Sequence, residues 1–438
     1  MLATRHALDQ MNIQLAEVTR ALAQWPKLAE VFAQCMPNTL ETTIHTDAAG
    51  TFVVTGDIDA MWLRDSSAQV QPYIRFTRDN PDLKALIANL IRRQAYYLQI
   101  DPYANAFNQT ANGRGHQTDR TKMSPWVWER KFELDSLCYP VHLLHSYYQV
   151  TEDAAIFNAD IYGMFMRIIE TMRIEQQHDA RSQYTFERLN CPPSDTLPFG
   201  GRGTPTAYTG MIWSGFRPSD DACQFGYLIP SNMFAAVTLK YMAHFVHDHY
   251  HDSELVQKAE TLRNEITAGI CAYGMVDHSH HGRIYAYETD GAGHYVLIDD
   301  ANVPSLLSLP YLGCCLADDP IYRNTRAFVL STDNPYYHTG TFAAGIGSPH
   351  TPSGYIWPIG LIMQGLTSSD RTEQHKLLEM LITTTAETNF MHESFNPNAP
   401  EQFTRAWFAW ANSLLGEFIY RWATVNNDGI HGTPYADT

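Results

Sequence analysis

SNMFAAVTLKYMAHFVHDHYHDSELVQKAETLRNEITAGI, residues 231–270, sets two helical segments end to end with a few polar residues between them. Ser231 to Tyr250 reads as one helix. Asp252 then offers a side-chain oxygen to the first free amides of a second, in which Leu255, Leu262, Ile266 and Ile270 recur at helical spacing. A short link between helices makes antiparallel neighbours, so this stretch is a helical hairpin.

The same pairing recurs on both sides. Ser66–Arg78 is followed by Asn80-Pro81, a cap with proline at the first helical position, and by a helix carrying Leu83, Ile87, Leu90, Ile91 and Leu98. Phe132–Gln149 is followed by Phe157, Ile161, Phe165, Ile168 and Met172. Further pairs fall at about 303–331 and 354–388, and a last helix spans Gln402–Trp422 with Phe403, Trp407, Trp410, Leu414 and Phe418 on one stripe. At the N-terminus Met11, Leu15, Val18 and Leu22 mark a helix, and a second short one follows Pro26. Strand signals are few: TTIHTDAAGTFVV (42–54) reads as a hairpin, and Arg283–Ile298 is strand-like with Gly291 and Gly293 at its turn. Eleven or twelve paired helices, with long polar loops alternating with short ones, suit an (α/α)6 barrel, a toroid in which outer helices ring inner ones and the long loops build a site over its mouth. An α-solenoid is the runner-up, but no fixed-period repeat is visible. No linker divides the chain, so residues 1–438 are expected to form a single catalytic domain.

Composition narrows the partner. The 438 residues are 45% apolar and 18% charged with a net charge of −17, which argues against nucleic acid or an acidic membrane surface. Aromatics at 12%, including 24 Tyr and 9 Trp, either fill a large core or stack on sugar faces. Seven cysteines lack disulfide or CxxC spacing, and neither a signal peptide nor a membrane span is evident, so a cytoplasmic protein is expected. The sequon Asn108-Gln109-Thr110 then reads as chance. Oligomeric state is left open.

Four stretches carry chemistry. WSGFRPSDDACQFGYLIPSNMF (213–234) sets Asp220, Asp221 and Arg217 among Trp213, Phe216, Phe225 and Tyr227. FMHESF (390–395) supplies Glu393. DIDAMWLRD (57–65) places Arg64 between Asp57, Asp59 and Asp65, either a buried ion pair or a grip on vicinal hydroxyls. In WVWERKFELDS (126–136), Glu129, Arg130, Lys131, Glu133 and Asp135 alternate in sign as a solvated helix start would, yet two tryptophans precede them. Cleaving a glycosidic bond without a cofactor needs one carboxylic acid to protonate the leaving oxygen and one carboxylate to activate water or attack carbon. Both are on offer. Asp220 and Asp221 are adjacent and point differently, so at most one faces a substrate. His244, His247, His249 and His251, with His278, His280 and His281, invite a zinc reading, but HExxH is missing and no metal site is assigned. Walker A, strand-linked GxGxxG and GxSxG motifs are also missing.

DIDAMWLRDSSAQVQPY (57–73), WERKFELDS (128–136), WSGFRPSDDACQFGYLIPSNMFA (213–235), YIWPIGL (355–361) and MHESF (391–395), taken together and in this order, resemble glycoside hydrolase family 125, bacterial and fungal exo-acting α-1,6-mannosidases. The resemblance implies an (α/α)6 barrel, inversion at the anomeric carbon, no metal or other cofactor, and release of terminal mannose from α-1,6-linked oligosaccharides or N-glycan fragments. It assigns Asp220 as general acid and Glu393 as general base, with Arg64 and Asp65 on the floor of the terminal-mannose subsite and Trp62, Lys131, Arg217 and Trp357 near it. Inversion sets the two carboxyl groups roughly 6.5–9.5 Å apart, where retention would need about 5 Å. The alternatives are another toroidal glycosidase, glucoamylase-like or trehalase-like, and a glycan-binding protein without catalysis.

Overall fold

The computed structural model describes residues 2–428; residue 1 and residues 429–438 of the domain expected over 1–438 lie outside them. Among the described residues twelve α-helices have eight residues or more, numbered here α1–α12: Leu2–Ala21, Pro26–Cys35, Leu63–Val70, Pro81–Ile100, Leu134–Thr151, Ala159–Glu175, Ile229–Phe245, Ser253–Tyr273, Pro320–Val329, Pro358–Leu366, Arg371–Thr383 and Ala409–Asp428. They pack as two layers. α12 touches α3 and α10, α5 lies between α3 and α7, and on the outside α4 packs against α6 and α6 against α8. Burial distinguishes the layers. All eight residues of α3 and the unbroken run Leu134–Tyr147 of α5 are buried, as befits helices enclosed on every side. Outer α8 buries only Leu255, Ala259, Leu262, Ile266, Gly269 and Ile270. The quoted hairpin is therefore one inner and one outer helix, with Asp252 capping the second by accepting from Glu254 N and Leu255 N at 3.0 and 3.1 Å.

Three sequence expectations change. The pair expected over 303–331 holds one helix, α9. Pro304 and Pro310 lack amide donors, and the Leu306 and Leu307 amides donate instead to Asp299 at 2.8 and 3.0 Å, so the first member is a chain of turns. It is nevertheless buried against the helices over most of its length. Tyr139 donates to Val303 O, Tyr322 to Leu307 O and Tyr311 to Glu417, tying the turns to α5, α9 and α12. The helix expected from Gln402 begins at Ala409: Ala399–Thr404 is a strand paired with Ser394–Asn396, Phe403 opposite Phe395, and Arg405 has a φ of 35° that no α-helix accommodates. The helix of Ser66–Arg78 starts at Leu63 and tightens to 3-10 geometry over Gln71–Asp79, where Pro72 removes a donor. The expected hairpin is found as Ile44–Asp47 with Gly50–Val53, and Asn80 caps α4 through Leu83 N at 3.1 Å.

One feature of the layering positions the site. Trp62 immediately precedes α3, Glu133 precedes α5, Trp357 precedes α10 and Phe408 precedes α12. The inner helices thus present their N-terminal ends, where amides are unpaired and the potential is positive, to one mouth of the toroid.

Candidate active site

At that mouth Thr55, Trp62, Arg64, Asp65, Asp220 and Glu393 share one pocket with His350, Trp357, Arg405, Phe408 and Trp410. Open solvent included, its empty space is about 390 Å³.

Arg64 is its buried centre. From the first turn of α3, its Nη1 donates to Glu133 Oε2 at 2.6 Å and Asp135 Oδ2 at 3.1 Å, while Nη2 donates to Asp220 Oδ1 at 3.1 Å. Asp65, 3.6 Å from Arg64 Nε, accepts from Thr55 Oγ1 at 2.5 Å. The flanking aspartates suggested by sequence are elsewhere: Asp57 pairs with Arg405 and Asp59 with Arg114. Glu133 and Asp135 side chains are fully buried, whereas that of Asp220 is 26% exposed, so Asp220 is the member of this cluster that reaches the pocket. The alternating charges of 129–135 are not a solvated helix start; Glu129, Arg130, Lys131, Glu133 and Asp135 are all buried and paired by residues distant in sequence.

The loop that carries Asp220 is held from below. Asp220 N donates to Arg217 O at 2.9 Å and Arg217 N to Asp221 O at 2.8 Å, and Asp220 takes a φ of 68°, a left-handed conformation costly for a side-chain-bearing residue. Lys131 and Arg217, expected near the sugar, do not line the pocket. Lys131 Nζ donates to Asp220 O at 2.7 Å and pairs with Asp195; Arg217 Nε donates to Glu288 Oε1 at 2.5 Å. Both positive charges are spent on holding the loop. Its aromatics do the same: Trp213 is buried against His178, ring centroids 3.5 Å apart, and a Cβ at Gly226 would meet Trp213 Cδ1 at 2.1 Å. The rings that do face the pocket come from other segments, Trp62, Trp357, Phe408 and Trp410.

Asp221 turns away, as adjacency requires. It accepts from Ser219 Oγ at 3.2 Å and stands 3.4 Å from His350 Nδ1. Burial alone would depress His350, but Asp221, with Asp220 and Glu393 beyond it, pushes the imidazole up to about 9, so it is a cation near neutrality. Glu393 is fixed by the strand that ends at Thr404: its amide meets Thr404 O at 3.3 Å, and Arg405 Nη1 reaches its Oε1 at 3.4 Å.

Burial opposes ionisation of Asp220, but its hydrogen bond with Glu133 and the charges of Arg64, Lys131 and His350 outweigh that and hold it below the usual carboxylate range. Burial pushes Glu133 well above that range; Arg64 pulls it back and the charge of Asp220 adds to the rise. Ionisation of either carboxyl group therefore disfavours ionisation of the other.

His350, Arg405 and Trp410 escaped the sequence reading. His350 lies in the Pro- and Gly-rich run GSPHTPSGY (347–355) just before the quoted YIWPIGL, and Arg405 and Trp410 fell inside the supposed helix of 402–422. Of the histidines weighed as zinc ligands, His278 and His280 gather with Asp333 on the exposed turn beyond Met275–His278, and none of them lines the pocket. No helix among the described residues is long and apolar enough to cross a membrane.

A family model described as metal-independent α-mannosidase matches residues 25–420. The chain is 42% identical over 417 residues to the meiotically up-regulated gene 157 protein of Schizosaccharomyces pombe, covering 90% of this chain and 81% of that one. A metal-independent α-mannosidase from Streptococcus pneumoniae, solved in a non-productive complex with α-1,6-mannobiose, superposes with a TM-score of 0.93 at 42% identity, over 95% of this chain and 99% of that one. The glucoamylase of Saccharomycopsis fibuligera shares the toroidal fold, with a TM-score of 0.51 at 12% identity over 91% and 94% of the two chains. The chain belongs to glycoside hydrolase family 125, the metal-independent α-mannosidases.

Proposed function

We propose that the protein is an exo-acting, inverting α-mannosidase that removes terminal mannose from α-1,6-linked manno-oligosaccharides such as N-glycan fragments, with Asp220 as general acid and Glu393 as general base. The observation that carries this reading is the meeting of these two carboxylates, 173 positions apart, in one pocket lined by Trp62, Trp357, Phe408 and Trp410. Asp220 protonates the glycosidic oxygen as the bond to the anomeric carbon breaks, and a water that gives its proton to Glu393 attacks that carbon from the opposite face. Asp65 and protonated His350 are suited to sugar hydroxyls, and Trp62 or Trp357 to an apolar sugar face. The α-1,6 preference is supported by the disaccharide bound in the Streptococcus pneumoniae relative. A cytoplasmic location belongs to the same proposal, supported by seven free cysteines.

The test is kcat/KM on α-1,6-, α-1,3- and α-1,2-mannobiose beside maltose and trehalose. We expect α-1,6-mannobiose to lead by about tenfold or more, equivalent to about 1.4 kcal/mol in transition-state binding. Faster cleavage of a glucoside would favour the glucoamylase-like alternative.

A further inference from the structure

Arg64 faces more carboxylate than it can neutralise. Glu133, Asp135 and Asp220 all accept from its two Nη atoms, and Asp65 lies beside its Nε. Glu133 is wholly enclosed: Oε1 accepts from Asn105 Nδ2 at 3.1 Å, and Oε2 from Arg64 and from Ser136 Oγ at 3.2 Å. It also lies within hydrogen-bonding reach of the carboxyl group of Asp220, the two meeting Nη1 and Nη2 of the same guanidinium. Two ionised carboxylates have no donor between them, so a bond across that contact needs a proton, and four carboxylates around one guanidinium leave the negative charge that binds it. The charges facing the pair are Arg64 and Asp65 from α3, Lys131 ahead of α5, Asp135 within it, and His350 ahead of α10; the buried Cys223 thiol adds no charge.

We propose that Glu133 stores the proton that Asp220 delivers, making the acid of this site a dyad with Glu133 as its positioning residue. This rests on the mannosidase reading above. In the free enzyme the proton sits on Glu133, where no solvent reaches, and Asp220 is paired with Arg64. When the glycosidic oxygen arrives, the proton crosses the hydrogen bond to Asp220 and passes on to that oxygen. The electron pair of the breaking carbon–oxygen bond stays with the leaving sugar, water supplies the new bond to carbon, and its proton goes to Glu393. The dyad ends one proton short and Glu393 one proton rich, and exchange with solvent through the pocket restores both. This division explains how a carboxyl group beside Arg64 and Lys131 can still donate near neutral pH.

The experiment compares wild type and Glu133→Gln over pH 4–9 on α-1,6-mannobiose, whose leaving oxygen needs a proton, and on α-mannosyl fluoride, whose leaving group does not. We expect Glu133→Gln to lose about 10²-fold or more on mannobiose at pH 7, with the basic limb of kcat/KM displaced about one pH unit or more toward acid, while its rate on the fluoride stays within about threefold of wild type. Equal losses on both substrates with an unmoved limb would reduce Glu133 to a structural role and overturn the proposal. So would an unchanged profile on both. Circular dichroism checks folding; if Glu133→Gln fails to fold, Glu133→Asp, which keeps a carboxyl group but withdraws it from Asp220, must show the same selective loss on mannobiose. A wild type inert on both mannosides would overturn the mannosidase reading and the dyad with it, an outcome separate from an active wild type with an indifferent variant.

Discussion

Around Asp220 stand Arg64 at 3.1 Å, Glu133 in hydrogen-bond contact and the Lys131 ammonium on its own carbonyl oxygen, all but Asp220 itself sealed from solvent. Around Glu393 the arrangement is sparser: Arg405 at 3.4 Å, itself shared with the half-exposed Asp57, and a strand edge behind. A group that must give up a proton needs a source for it, and buried excess carboxylate retains protons into the neutral range. A group that must accept one needs only to be ionised and to reach water. The two halves of the pocket differ in the way those two tasks differ.

Breaking each half tests that contrast most sharply. Asp220→Asn and Glu393→Gln should each lower kcat on α-1,6-mannobiose by about 10²–10⁴-fold. On α-mannosyl fluoride only the Asp220 variant should recover, because water must still be activated. Recovery of both, or of neither, in steady-state kinetics would erase the distinction. Next in size is stability. Arg64→Met strands buried carboxylates and should cost about 3–5 kcal/mol in urea unfolding, against about 1 kcal/mol for the more solvated Arg405→Met. Equal costs would mean that the two clusters are not differently buried.

His350 bridges the halves and gives a pH test. Its folded-state value of about 9 lies above the ordinary imidazole value of 6.5, so its stabilising charge is complete below about pH 6.5 and lost as pH rises through 9. With its side chain 39% exposed, solvent screening cuts the effect; the wild type should exceed His350→Asn by about 1 kcal/mol or less at pH 6, and the gap should close above pH 9. A gap that widened with pH would reverse the assigned charge. Smallest of all, EDTA should leave turnover on α-1,6-mannobiose unchanged, while a loss restored by a divalent metal would tie the His278, His280 and Asp333 group to the reaction.

Helical pairing was legible because apolar spacing and caps are local: Asn80 and Asp252 bind the amides their sequence positions imply. The turns of 303–319 were not, since they are tied down by partners outside the stretch, Tyr139 on Val303, Tyr322 on Leu307 and Glu417 on Tyr311. Asp220, Glu393, Arg64, Asp65, Trp62 and Trp357, singled out in the sequence, line one pocket. Lys131 and Arg217, which do not line it, could not be told apart from these, because a cation beside a catalytic loop reads alike in sequence whether it faces a ligand or braces the loop from behind. Arg405 was hidden by Phe403, Trp407 and Trp410, whose spacing imitates a helix although Phe403 lies on a strand and Trp407 in the turn that follows.

The most direct measurement is proton NMR of the enzyme with α-1,6-mannobiose and EDTA, recording which anomer of mannose appears before mutarotation. β-Mannose first is the outcome expected of Asp220 and Glu393 acting on opposite faces of the sugar, with a water between Glu393 and the anomeric carbon. α-Mannose first would mean that Glu393 bonds to the sugar itself, contradicting its assignment as general base.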